Sequence, residues 1–327
     1  MTRSLIVTEP GDRDVLAVQD APVLPPAPGE VQVQVAAVGV NFIDVYKRQG
    51  IYPQDTPFVL GEEAAGTVVG VGRDVQDFAE GDRVAWAQSA GSAAALVNVP
   101  AERAVRVPDG VDLDTAAAVM LQGMTAHYLV TSTWPIEPGQ IALVHAAAGG
   151  VGQLLVQLIT ARGASVVATA GTDEKLQIAK DLGAAHVINY RQYDGRPDEL
   201  AATVRALAGR GVDVAYDGVG KATFEASLKS LRPRGLLALF GGASGQVPPF
   251  DLQLLNKYGS LFITRPTLAH YLGDRAELEW RAREILDAVA DGSLKVDIGA
   301  RFPLEQAADA YAALEGRRTT GKVLLTL

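Results

Sequence analysis

IALVHAAAGGVG, Ile141–Gly152, decides the fold. Ile141 to His145 reads as a short apolar strand. The residues after it fit the spacing G-x-G-x-x-G as Ala147, Gly149 and Gly152. Gly149 lets the backbone approach a pyrophosphate, and Gly152 lets a helix pack close to the strand. The helix that opens here offers free N–H groups and a positive dipole end to an anion. Alanine at the first of the three positions is a departure that loosens the tight-turn requirement. By itself the stretch fits any Gly-rich turn between a strand and a helix. Its context favours a dinucleotide loop, because a βαβ series begins here.

Downstream, the pattern predicts a helix from Val151 to Arg162 closed by Gly163, then a strand Ser165–Thr169. Thr172 can cap a helix running to Leu182, with Leu176, Ala179 and Leu182 three apart and Gly183 at the stop. Strands follow at His186–Asn189, Val212–Tyr216 and Leu236–Phe240, with a helix near Ala222–Leu231. Strands alternating with helices at this spacing give an α/β fold with a doubly wound parallel sheet.

Upstream, the first 125 or so residues read as β-rich. Val31–Val40 begins with apolar–polar alternation, and Ala64–Val71 is β-branched and broken by glycines. Gly81-Asp82-Arg83-Val84 is a turn into another strand, and the whole suggests a partly open barrel. At the other end, Asp274 and Glu277 form an aspartate capping box. Leu278, Ala282, Ile285, Leu286 and Val289 then share one helical face. A short helix near Leu304–Leu314 precedes a closing strand, Lys322–Leu327, and this tail is expected to pack on the N-terminal domain.

Composition narrows the classes. The 327 residues suggest about two domains, and the formal net charge of −9 disfavours a nucleic-acid partner. With no cysteine, disulfides, thiolate nucleophiles and Cys-based zinc sites are all excluded. The N-terminal MTRSLIVTEPG is too short in apolar residues for a signal peptide, and no segment reaches the ~20 apolar residues of a bilayer span. A soluble cytoplasmic protein, with no membrane partner, is the expectation.

The end of the second strand bears on the cofactor. Ala168-Thr169-Ala170-Gly171-Thr172 lacks the carboxylate that usually holds an NAD ribose. The Thr172 hydroxyl, the Gly171–Thr172 backbone, Lys175 and Tyr190 at the end of the third strand can instead hold a 2′-phosphate. That set favours NADPH, although Asp173 close by argues for NADH. Taken singly, Thr172 is as well read as a cap, Lys175 as a solvated residue and Tyr190 as a strand-end aromatic.

VGVNFIDVYKRQGIYP (38–53), LGEEAAGTVVGVG (60–72), GDRVAW (81–86), LQGMTAHYL (121–129), HAAAGGVG (145–152), AGTDEKLQIAKDLGAAHVINY (170–190), VDVAYDGVG (212–220) and TTGKVLLTL (319–327) together resemble a known family. It is the quinone oxidoreductase, zeta-crystallin-like branch of the zinc-free medium-chain dehydrogenases/reductases, and the likeness runs over essentially the whole chain. The resemblance implies a GroES-like catalytic domain from residues 1–125 and 266–327, and a Rossmann NADPH-binding domain from 126–265. It carries cofactor contacts onto Asn41, Phe42, Ile43, Asp44 and Val45, and onto Thr125. In the other domain they fall on Gly150, Val151, Gly171, Thr172, Lys175, Tyr190, Gly218 and the run Phe240, Gly241, Gly242 and Ala243. Ile263, Thr264, Arg265 and Arg317 complete the set. Gly218 stands where relatives often have Ser, so no side-chain contact is expected there. A homodimer is also implied.

Zinc-using relatives read Gly-His-Glu where this chain reads Gly61-Glu62-Glu63, and its four histidines form no short cluster. Glu62 and Glu63 are better read as a structural turn or ion pair than as catalytic groups. His145 is expected to be a hydrogen-bonded core or loop-bracing residue. A zinc-free site lacks a strong Lewis acid, which suits quinones and conjugated enones better than alcohols. On this reading NADPH lies across an interdomain cleft, with its nicotinamide reaching Asn41–Asp44. Asn41 donates to the acceptor oxygen, and Tyr46 and Tyr52 line the pocket. Packing alone is the competing reading of the tyrosines. Two other functions stay open: an NADPH-dependent enone or alkenal reductase, and a cofactor-binding protein without significant turnover.

Overall fold

The computed structural model describes all residues, 1–327. The chain divides into two compact units, Met1–Met124 with Leu272–Leu327, and Thr125–Tyr271.

The Thr125–Tyr271 unit is built on six parallel strands. In spatial order they are His186–Asn189, Ser165–Ala170, Ile141–Val144, Val212–Asp217, Leu231–Leu239 and Phe262–Thr264. Chain order therefore reverses between Ile141–Val144 and Val212–Asp217, and in such sheets ligands bind at the carboxyl ends of the strands beside that reversal. Val144 lies opposite Ala168 on one side and Tyr216 on the other, so His145, Thr169 and Asp217 meet at one crest.

The helix after the loop spans Gly150–Ala161 and buries Leu154, Leu155, Val156 and Ile159 against the sheet. Asp173–Asp181 begins at Thr172, whose side chain accepts from the Lys175 N–H. A helix over Pro197–Ala208, outside the sequence expectation, has proline in its first turn and Gly209 in the left-handed conformation at its end. That is the usual proline-in, glycine-out asymmetry. The predicted Leu236–Phe240 strand is longer, Leu231–Leu239, because it starts before an irregular stretch around Pro233 and Arg234 that interrupts its pairing. Its lengthening trims the preceding helix to Phe224–Ser230. Tyr190 opens a short 3-10 turn, Tyr190–Tyr193, just after the third strand.

The other unit joins both chain ends. Its larger sheet runs Ile298–Pro303, Lys322–Thr326, Glu30–Val40, Glu63–Val71, Arg83–Ala87 and Val105–Arg106, with Leu96–Pro100 also pairing to Glu30–Val40. A small sheet holds Leu16–Ala21, Thr2–Val7 and Phe58–Val59. Val31, Val33 and Val35 alternate into the core with Leu60, Val84 and Trp86. Full burial of each such side chain is worth about 1.5–3 kcal/mol. The C-terminal strand pairs Val323 with Val40 and Leu325 with Val38, which ties the tail to the N-terminal segment. The β-rich stretch ends earlier than its composition suggests, in the Leu113–Tyr128 helix. No helix is long and apolar enough to cross a membrane.

Candidate active site

The loop after Val144 is shaped by backbone bonds on both sides. The His145 N–H donates to Tyr216 O (3.2 Å), the Ala147 N–H to Thr169 O (3.0 Å), and the Gly149 N–H back to Ala146 O (2.9 Å). The left-handed residue is Ala146, at φ 51°, one position before the alanine aligned with the first glycine. Gly149 is the N-cap of the Gly150–Ala161 helix. The amides of Gly150, Val151 and Gly152, in the first turn, therefore have no intrahelical acceptor and are available to an anion. A Cβ on Gly152 would stand 2.7 Å from Ala147 Cα, so this close helix–loop approach requires glycine. The loop thus fits a pyrophosphate.

At the end of the second strand the structure brings Gly171, Tyr190 and Arg191 together. A Cβ on Gly171 would meet Tyr190 Oη at 2.9 Å and Arg191 Nε at 3.2 Å. The Thr172 oxygen accepts from the Lys175 N–H at 3.3 Å, leaving its hydrogen to donate outward. Arg191 was missed from sequence; a cation next to the strand-end tyrosine was the available signal. Gly218 and Phe240–Ala243 also meet. The Phe240 N–H donates to Asp217 O (2.9 Å) and the Ala243 N–H to Gly218 O (3.3 Å), while a Cβ at 218 would press on the Phe240 ring at 2.9 Å. Ile263 and Thr264 lie on the edge strand, with Arg265 just after it donating to Pro266 O. Thr125 is buried at the start of this unit.

Beneath the crest lies a buried polar network. His145 Nδ1 is 2.9 Å from Thr169 Oγ1 and its Nε2 is 3.0 Å from Ser227 Oγ. Ser227 donates to Asp217 Oδ2 at 2.7 Å. Asp217 Oδ1 accepts from the N–H groups of Val219 (2.8 Å) and Gly220 (3.0 Å) and from the Thr223 hydroxyl (2.8 Å). Burial pushes the His145 pKa down, against the pull of the Asp217 charge. His145 is thus buried and hydrogen-bonded on both ring nitrogens, as the sequence suggested for a core or loop-bracing residue.

In the other unit, Asn41 starts the Phe42–Arg48 helix and is buried. Its amide nitrogen donates to Gly39 O (2.9 Å) and Glu63 Oε2 (3.0 Å), and its oxygen accepts from Gln122 Nε2 (2.6 Å) and Lys322 Nζ (2.9 Å). Both amide hydrogens are therefore engaged. The expected donation from Asn41 to an acceptor oxygen is not available in this arrangement; the side chain holds the segment instead. Lys322 also donates to Glu63 Oε2 (2.5 Å) and Gln122 Oε1 (2.7 Å), while Glu63 Oε1 accepts from the Leu121 N–H (2.5 Å). Burial lowers the Lys322 pKa, and Glu63 opposes that. Glu62 pairs with Lys47, so both glutamates of the Gly61-Glu62-Glu63 stretch sit in ion pairs. No group of three or more His, Cys, Asp or Glu side chains is placed to hold a metal ion.

Asp44 is fully buried three residues into the same helix. Its Oδ2 accepts from the Asn41 N–H (2.8 Å) and the Tyr311 hydroxyl (3.1 Å), and its Oδ1 has no partner. Burial above all raises its pKa to about 7. Arg48, also buried, pairs with Glu315 at 2.9 Å, so this helix is tied twice to Ala307–Glu315. Phe42, Tyr46 and Tyr52 form an aromatic row, with Tyr46 and Tyr52 edge-on at 5.5 Å. Phe42 and Ile43 are half-buried and Val45 is buried, whereas Arg317 lies just past the Ala307–Glu315 helix, left-handed at φ 54°.

Comparison with known proteins gives the family. The family profile described as "Alcohol dehydrogenase GroES-like domain" covers residues 27–136, and "Zinc-binding dehydrogenase" covers 150–279. Quinone oxidoreductase 1 of Escherichia coli is 42% identical over 320 residues, 96% of each chain. The chain belongs to the quinone oxidoreductase family. A second relative of this quinone oxidoreductase family member, 2-haloacrylate reductase of a Burkholderia species, is 40% identical over 334 residues, 99% of each chain. A mycobacterial protein solved in complex with NADPH superposes with a TM-score of 0.97 at 44% identity over 100% of both chains.

Proposed function

We propose that this protein is an NADPH-dependent quinone oxidoreductase that transfers hydride to a quinone without zinc. One observation carries the reading. An anion-binding loop opens the Gly150–Ala161 helix, and the second strand ends without a carboxylate, beside Lys175, Tyr190 and Arg191. A 2′-phosphate is welcome there, and a bare ribose finds no acidic partner in its usual place. The relatives named as quinone oxidoreductases and the NADPH-bound neighbour support the same assignment.

The Thr125–Tyr271 unit serves as the NADPH domain and the other as the catalytic domain. NADPH supplies the hydride when bound. Gly149–Gly152 hold the pyrophosphate through main-chain N–H groups. Thr172, Lys175, Tyr190 and Arg191 hold the 2′-phosphate. Gly218 and Phe240–Ala243 wall the crest, with Ile263–Arg265 beyond them. Asn41–Val45, fixed through Asn41 and Asp44, form the platform for the nicotinamide and the acceptor. Tyr46 and Tyr52 present aromatic faces and hydroxyls to a flat acceptor. The 2-haloacrylate reductase likeness gives an enone reductase as a second reading.

A screen of NADPH oxidation over quinones, enones and aldehydes, with NADH in parallel, tests this. Quinones are expected to give the highest kcat/KM and NADPH to exceed NADH. Preference for enones moves the assignment to the second reading, and NADPH binding without oxidation by any acceptor reduces the protein to a binder. A homodimer accompanies the proposal, supported by the outermost Phe262–Thr264 strand, where Phe262 is 58% exposed; sedimentation checks it. So does a cytoplasmic location, where NADPH is made and spent; fractionation checks that.

A further inference from the structure

Ala146 poses a problem that the cofactor reading leaves unsolved. Its φ of 51° lies in the left-handed region, which favours glycine. The turn depends on it, since the Ala146 carbonyl accepts the Gly149 N–H at 2.9 Å and closes the loop onto the helix start. Something must hold this alanine there.

The adjacent side chain is anchored on both ring nitrogens. Asp217 as a carboxylate only accepts, so the single Ser227 hydrogen is spent on it at 2.7 Å. Toward His145 the Ser227 oxygen therefore accepts, which puts the imidazole proton on Nε2. Nδ1 is then the acceptor, and Thr169 Oγ1 donates to it at 2.9 Å. Asp217 in turn gathers Val219, Gly220 and Thr223. One neutral imidazole thus joins the phosphate loop, the end of the second strand and the 217–223 loop. The residues on either side of Ala146 are pinned as well, His145 N–H to Tyr216 O and Ala147 N–H to Thr169 O.

We propose that His145 is a positioning residue that holds Ala146 left-handed through its Thr169 and Ser227 hydrogen bonds, and so presets the pyrophosphate loop without glycine at the turn. This rests on NADPH binding at that loop. A glycine at 146 needs no such clamp, so the two positions are coupled. Loss of the clamp is offset by glycine at 146, whereas loss of a group that touches the cofactor is not.

The test is a double-mutant cycle on NADPH affinity, read by calorimetry on the full chain. His145→Leu is expected to weaken Kd about tenfold or more in the natural background and less than about threefold when Ala146→Gly is also present. Thr169→Val, a near-isosteric loss of one hydroxyl, repeats the cycle with smaller numbers if His145→Leu does not fold. Nitrogen-15 NMR of the wild-type protein without cofactor should show His145 protonated on Nε2 only. Equal fold-losses in both backgrounds, or a proton on Nδ1, overturn the proposal. Wild-type protein that binds no NADPH overturns the underlying reading and this proposal together.

Discussion

Lys322 with Glu63 in one unit, and His145 with Asp217 in the other, are all shut away from water, yet their charges are balanced differently. The first cluster pairs a cation with a carboxylate at 2.5 Å and fills the remaining sites with Asn41, Gln122 and the Leu121 amide. The second holds its carboxylate with hydroxyls and amides alone, and its histidine is kept neutral by burial. An ion pair in low dielectric is all-or-none, because removing either partner strands the other charge. A carboxylate shared among several neutral donors loses stability in smaller steps. The first arrangement suits a fixed platform and the second a set of loops that must be aligned together.

Four measurements probe that contrast. Lys322→Met should destabilise by about 3–5 kcal/mol in urea unfolding, and adding Glu63→Gln should recover about half. A loss below about 1 kcal/mol would show that the pair is not closed to water. Asp44 lies beside that pair but has no cation in contact. Its pKa is raised from 3.8 to about 7, so the stability it leaves intact is complete below the unfolded value and is lost as pH rises through the folded one. Between about pH 5 and 7 the wild type should lose about 2–3 kcal/mol relative to Asp44→Asn, followed by thermal unfolding across pH. Parallel curves would mean the carboxyl is already ionised at the lower pH.

In the other unit, Asp217→Asn should cost about 2 kcal/mol, less than Lys322→Met, because no opposite charge is left behind. A larger loss there would reverse the contrast. The smallest effect is expected for Thr172→Ala, about 1 kcal/mol for a lost N-cap. NADPH affinity should fall with it while NADH affinity holds, as parallel titrations would show.

What sequence disclosed was local. Gly152 and Thr172 follow rules confined to a few neighbours, and the strand–loop–helix around Ile141–Gly152 was legible for that reason. Residues whose partners lie far along the chain were opaque. Lys322 meets Glu63 across 259 positions and His145 meets Ser227 across 82, and no periodicity encodes either pairing. The partners of the Asn41 amide were hidden for the same reason, since one of them, Lys322, arrives from the tail. Arg191 was hidden because its approach to Gly171 depends on how the third strand ends. The Leu231–Leu239 strand was read short because Pro233 and Gly235 break the apolar pattern.

The strand Lys322–Thr326 sets a schedule for the ribosome. All six strands of the Thr125–Tyr271 sheet are synthesised in one uninterrupted run, so that unit can mature while the polypeptide is still emerging. The amino-terminal half of the other unit must instead wait, with Glu63 and Asn41 unmatched, through more than 250 further residues before Lys322 is made. A nascent chain released before that point would carry a finished parallel sheet and an amino-terminal sheet still lacking two of its strands.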